Sequence, residues 1–183
     1  MITREQMQRA RDWAWQAAKK SGLVLKDVEQ DQIEVADFGL SRLDQVGAQI
    51  LTLEANAWVS IKVLILSPWQ LEPQHRHPPC AAEGYPGKTE VLRCWWGRLF
   101  HYHEGLETDS PQARPSEEDR DYLTVWNETV LRPADQLTLA PNTWHWFQAG
   151  PEGAVVWTIS SRATEAVDQW MDPRIRRTTV IAS

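Results

Sequence analysis

Cysteine is scarce. Cys80 and Cys94 are the only two in 183 residues, too few for the disulfide framework of a small secreted fold. No apolar run reaches the roughly 20 residues of a transmembrane helix. The first residues, Met1-Ile-Thr-Arg-Glu-Gln6, lack a hydrophobic signal core. Positive charge is not in excess either: 19 Lys and Arg stand against 25 Asp and Glu, a formal net charge of −6. That balance argues against nucleic acid or an anionic membrane as partner. No repeat of fixed period and no domain linker interrupts the chain. These absences leave one expectation, a single soluble domain over residues 1–183 located in the cytoplasm. With 42% apolar and 24% charged residues, the chain has the composition of a globular protein with a sizeable core.

Tryptophan, in contrast, is abundant, with 11 residues, and most are expected in core or interface because these rings bury large areas. Thr3-Arg-Glu-Gln6 fits a capping box. Met7, Ala10, Trp13, Ala14 and Ala17 follow at helical spacing, and Gly22 is a plausible stop. This predicts an amphipathic helix over about 3–21 that packs on the rest of the domain or on a second subunit.

From Ile33 the period changes to two. Residues 49–53, 58–67, 91–102 (turning near Gly97), 122–126, 136–139, 145–147 and 154–160 read as strands. In the second of these, Val59, Ile61, Val63 and Ile65 share one face. Residues 78–88 read as a loop over a barrel mouth. The polar stretch 104–121 reads as a surface insertion in preference to a mobile lid, and a short helical segment is expected over 164–170. Many short strands after one helix point to an all-β fold, a double-sheet barrel of the jelly-roll kind covering about 33–175.

Chemistry concentrates in histidine. The chain has five, and His75 and His77 stand at i and i+2. In an extended segment both point to one face. Glu90 would add a carboxylate oxygen and His145 a third imidazole. Each alone is more often a packed or solvated residue, but the conjunction of His75, His77, Glu90 and His145 is a mixed N/O donor set. Such a set suits Mn, Fe, Co, Ni or Zn and leaves open positions for chemistry.

His75-Arg-His77, then Glu90, then six residues to Gly97, resembles the first motif of the cupins, with a lengthened gap between His77 and Glu90. The second cupin motif is matched at His145. Ala134, Ala140 and Asn142 stand where that motif has Gly, Pro and Gly. A closer resemblance spans residues 33–175. Ile33-Glu-Val-Ala-Asp-Phe-Gly-Leu40, His75-Arg-His-Pro-Pro79, Tyr85-Pro-Gly-Lys-Thr-Glu90, Asn142-Thr-Trp-His-Trp-Phe-Gln-Ala-Gly150 and Asp172-Pro-Arg-Ile175 are similar to segments of the D-lyxose ketol-isomerases. That resemblance implies a cupin barrel, a divalent metal (Mn2+ in that family), a homodimer and aldose–ketose isomerisation. His101 and His103 depart from the family's pattern.

The expected activity is interconversion of D-lyxose and D-xylulose, with D-mannose and D-fructose as a second pair, by proton transfer through a metal-stabilised cis-enediol. Lys88, two residues before Glu90, is the first candidate to hold a sugar hydroxyl or oxyanion. Glu165 and Asp168, after the last clear strand, are candidates for the base. Trp95, Trp96, Trp144 and Trp146 flank the expected ligands and are candidates to stack on a sugar. Competing readings are a cupin dioxygenase with iron on the same set, a phosphosugar isomerase drawing on Arg93, Arg98, Arg174, Arg176 or Arg177, and a sugar-binding cupin without turnover.

Overall fold

The structure is a computed structural model and describes residues 1–162 and 165–182. The chain runs β1 (Ile2–Thr3), α1 (Arg4–Lys20), α2 (Glu29–Gln32), β2 (Glu34–Ala36), β3 (Ala48–Ala55), β4 (Val59–Leu66), β5 (Leu71–Arg76), β6 (Glu90–His103), α3 (Glu117–Arg120), β7 (Asn127–Leu131), β8 (Gln136–Leu139), β9 (His145–Ser161), β10 (Gln169–Trp170) and β11 (Ile181–Ala182).

α1 forms where its sequence predicts. Thr3 Oγ1 accepts from the Gln6 N–H at 3.1 Å, and Gln6 Oε1 accepts from the Thr3 N–H at 2.8 Å, which closes the capping box. Glu5 in the first turn and Lys19 and Lys20 in the last complement the helix dipole. Its buried face, Ala14, Trp15, Ala17 and Ala18, packs on Leu51, Val63, Ile65 and Val155. The Val63–Ile65 face of β4 therefore points outward, toward the helix, while Leu64 and Leu66 join the cluster inside the barrel.

Two long strands organise the sheet. β6 and β9, 14 and 17 residues long, pair antiparallel from Glu90↔Ser160 to His103↔His145. Register shifts between Cys94 and Trp96, and again between Gly97 and Leu99, bend both. At Gly97 a Cβ would lie 2.1 Å from the Gly153 carbonyl oxygen, so the close approach at this bend requires glycine. The bend divides the sheet into two walls. One continues through β4, β3 and β2, with β8 beside the start of β6. The other continues through β5 and β10, with β7 beside the end of β6. This is the jelly-roll barrel that the strand pattern implies.

Three local features differ from the sequence reading. Residues 122–126 are not a strand, and β7 starts at Asn127. The backbone of that segment is held by a side chain instead: Gln74 Oε1 accepts from the Thr124 and Val125 N–H groups at 2.6 and 3.3 Å. The stretches 145–147 and 154–160 are the two ends of one strand, β9. The helical segment expected over 164–170 is a single 3-10 turn, Glu165–Val167, followed by β10, and Thr164 lies outside the described residues. Residues 104–121 cover the outside of the barrel. Ala113 is buried there, and its N–H donates to Tyr102 Oη at 2.9 Å.

Candidate metal centre and sugar pocket

Cross-strand register assembles the site. Trp170 pairs with His75, His75 with His145, and His145 with His103. Paired residues share a face, so this row points into the barrel. Trp146, on the opposite face, stacks on Tyr102 at 4.1 Å. From the facing wall comes a second row, Ser60, Ser160 and Glu90. The bend of β6 and β9 is what brings Glu90 opposite the imidazoles.

His75, His77 and His145 are all buried, and their ligand atoms lie within 4.8 Å of one another. Each uses Nδ1 on a fixed partner. His75 Nδ1 lies 2.8 Å from the Pro73 carbonyl, His77 Nδ1 2.7 Å from Asp168 Oδ1, and His145 Nδ1 2.9 Å from the Thr143 carbonyl. Hydrogen bonds at Nδ1 fix ring orientation and tautomer and leave Nε2 for coordination. His145 Nε2 is buried with no hydrogen-bond partner. Glu90 Oε2 lies 3.3 Å from His77 Nε2, and Glu90 Oε1 accepts from Lys88 Nζ at 3.3 Å. Three oriented imidazoles and an adjacent carboxylate fit a divalent cation.

Charge follows from these contacts. Burial holds His75 well below its usual pKa and His145 down to about 3, in both cases helped by neighbouring imidazoles. Burial opposes a proton on His77 as well, but hydrogen bonds to Asp168 and Glu90 outweigh it and raise its pKa. Burial alone would raise Glu90. Lys88 and His77 overcome this and hold it well below the carboxylate range.

The turn before His145 is built on a left-handed residue. Asn142 in this turn has φ +63°, and Ala134, in the earlier turn between β7 and β8, has φ +77°; these are the two positions where the cupin motif carries glycine. Asn tolerates this conformation, whereas Ala is strained in it. The Asn142 N–H donates to the His77 carbonyl at 3.0 Å, so the turn ties two ligand-bearing segments together.

The structure brings His75, His77, Glu90, Lys88 and Asp168 to one cavity, and His145 stands behind its wall, grouped with His75 and His77. Glu165 opens the 3-10 turn, but its side chain lies outside what is described. His101 is fully buried and stacks on His145 at 5.6 Å. It and His103 stand outside the three-imidazole group and do not line the cavity. Nor do the four tryptophans that flank the ligands in sequence. The aromatic walls are Trp170, Phe38 and Phe147, and the polar side includes Ser60, Lys62 and Thr158. No residue of 104–121 lines the cavity.

Sequence reasoning missed Glu72. By strict alternation it should face away from His75. A register shift between Glu72 and His75 turns it inward, opposite Phe147, and it lines the cavity. Its Oε1 lies 4.0 Å from His75 Nε2, and its Oε2 is buried without a partner. Burial, then the Glu90 charge, raise its pKa to about 7. Pro73 was the available signal, because proline within a strand marks a bulge or an edge.

No family model matches the chain. Relatives do. The chain is 44% identical over 177 residues to the D-lyxose ketol-isomerase of Thermofilum sp., covering 97% of each chain. It is 41% identical over 177 residues to the D-lyxose/D-mannose isomerase of Thermosediminibacter oceani, again covering 97% of each. Among solved structures, L-ribose isomerases of Acinetobacter sp. DL28 and Cellulomonas parahominis superpose with TM-scores of 0.80 and 0.77 at 15% identity, covering 99% of this chain and 98% of theirs. Those structures establish the cupin-like double-stranded β-helix. With more than 40% identity over nearly its full length to the two curated relatives, the chain belongs to the D-lyxose ketol-isomerase family of sugar isomerases.

Proposed function

We propose that the protein is a metal-dependent aldose–ketose isomerase of free sugars, interconverting D-lyxose and D-xylulose and also D-mannose and D-fructose. The observation that carries this reading is the trio of buried imidazoles with Nδ1 already committed and ligand atoms within 4.8 Å of one another, two of them lining a cavity with polar and aromatic walls. His75, His77, His145 and Glu90 would hold a divalent ion, Mn2+ in this reading. Such an ion supplies Lewis acidity to the two oxygens at the reacting carbons.

The remaining roles fall to the chain's own groups. Lys88, 7% exposed beside Glu90, holds a sugar hydroxyl or a developing oxyanion. Ser60, Ser160 and Thr158 offer hydroxyls to the sugar, and the rings of Trp170 and Phe38 face its C–H surface. Asp168 acts through His77, fixing the ring so that Nε2 faces the cavity. The hydrogen moves between C2 and C1 as a proton, carried by a carboxylate facing the substrate. Of the five arginines that a phosphate could have used, Arg177 alone lines the cavity, and it is paired with Glu34, which supports a free sugar. The reading extends to a cytoplasmic homodimer, checked by light scattering.

The test is a panel of free pentoses and hexoses, with chelator-stripped protein and one metal added at a time. Turnover of D-lyxose and D-mannose restored by Mn2+ is the expected result. Oxygen consumption without isomerisation would replace this reading with the dioxygenase.

A further inference from the structure

One carboxylate in the cavity, largely but not wholly shielded from solvent, has no role in the scheme above. Glu72 sits one residue row deeper than His75, because the two-residue bulge at Pro73 and Gln74 rotates it from the outer to the inner face. Its row partner is Phe147, and the row above holds His75 and His145; Phe147 and His75 line the cavity with it. Its Oε1 is 4.0 Å from the cavity-facing nitrogen of His75. Its Oε2 is buried and makes no hydrogen bond. A buried carboxylate oxygen without a donor is costly. The other two described carboxylates of this cavity are engaged: Asp168 with His77, and Glu90 with His77 and Lys88.

We propose that Glu72 is the catalytic base that carries the proton between C2 and C1, an assignment that rests on the isomerase reading. In the aldose-to-ketose direction the C2–H bond breaks and its proton goes to Glu72 Oε2. The electron pair forms the C1–C2 double bond, and the carbonyl pair moves onto O1. A proton from Glu72, which exchanges with solvent while the carboxyl group holds it, then adds to C1 as the electron pair at O2 forms the C2 carbonyl. The O2 hydroxyl proton ends on O1, so no oxidant or reductant is consumed. A group placed beside the ligands without being one suits this task, because it reaches the carbon whose neighbouring oxygens the centre holds.

The experiment compares the holoenzyme with Glu72→Gln and Glu72→Asp, using D-lyxose in H2O and in D2O. The readouts are metal per chain, thermal midpoint, kcat, KM and deuterium at C1 of the ketose. We expect Glu72→Gln to keep its metal and fold, with KM within a few-fold. Its kcat should fall by about 10²- to 10⁴-fold, with the loss of solvent deuterium uptake at C1. Glu72→Asp should recover part of kcat, since it restores the carboxylate at a shorter reach. A kcat within threefold of wild type in Glu72→Gln overturns the proposal. So does a kcat loss matched by metal loss in both variants, which would make Glu72 structural. Inactivity of the metal-loaded wild type on every sugar would instead overturn the isomerase reading, and this assignment with it.

Discussion

Replacing Asp168 by Asn separates two roles that a carboxylate at this mouth could play. Asp168 Oδ1 stands 2.7 Å from His77 Nδ1, with both side chains 4% exposed. Asn keeps the size and an acceptor oxygen but removes the charge. Partners of this kind, behind a metal-ligating histidine, contribute about 10- to 100-fold in metal affinity, or roughly 1.4–2.7 kcal/mol. The pair is almost wholly shielded from solvent, so its strength should not be screened away by salt. Chelator competition on Asp168→Asn should therefore show a metal Kd raised by that factor. Saturating metal should bring kcat on D-lyxose back to within a few-fold of wild type. Unchanged metal affinity, with kcat lost at any metal concentration, would refute the reasoning and make Asp168 the group that handles the substrate's proton.

Two further outcomes follow from local physics. Ala134 at φ +77° carries a left-handed penalty that glycine does not, so Ala134→Gly should stabilise the protein by about 1 kcal/mol, read as a higher urea midpoint at unchanged slope. For acid, His145 has a folded pKa of about 3 against 6.5, so the unfolded chain binds the proton first. Its contribution is present in full above pH 6.5 and is lost as pH falls toward 3, by roughly 5 kcal/mol at about 1.36 kcal/mol per unit. His77, whose pKa is raised, works in the opposite direction. Urea midpoints of metal-free protein should fall from pH 7 to pH 4, and a flat profile would count against buried neutral imidazoles.

Much of this molecule is written locally. The Thr3–Gln6 capping box sets the start of α1, because both partners lie within four residues. Alternation gave β8 its limits and put His145 and Phe147 on one face. The i, i+2 spacing of His75 and His77 sufficed to bring them together, and the family motifs pointed to Glu90 and His145. Where only short-range geometry is needed, sequence carries it.

What the tertiary structure decided depends on which face finds a partner. In β4 the apolar residues Val63 and Ile65 invite an inward reading. They face out because α1 must bury its own apolar stripe there, which leaves Ser60 and Lys62 to line the barrel. The flanking tryptophans went to packing, Trp146 against Tyr102 and Trp96 against the α1 layer. Residues 122–126 have a strand's composition, but Gln74 takes their backbone donors before a neighbouring strand can. Glu72 is the sharpest case: one register shift, invisible to a period of two, moves every residue before it to the other face. Sequence by itself indicated the barrel and named the candidate donors. Long-range register determined which carboxylate stands beside them, because a bulge exists only relative to the strand it is paired with.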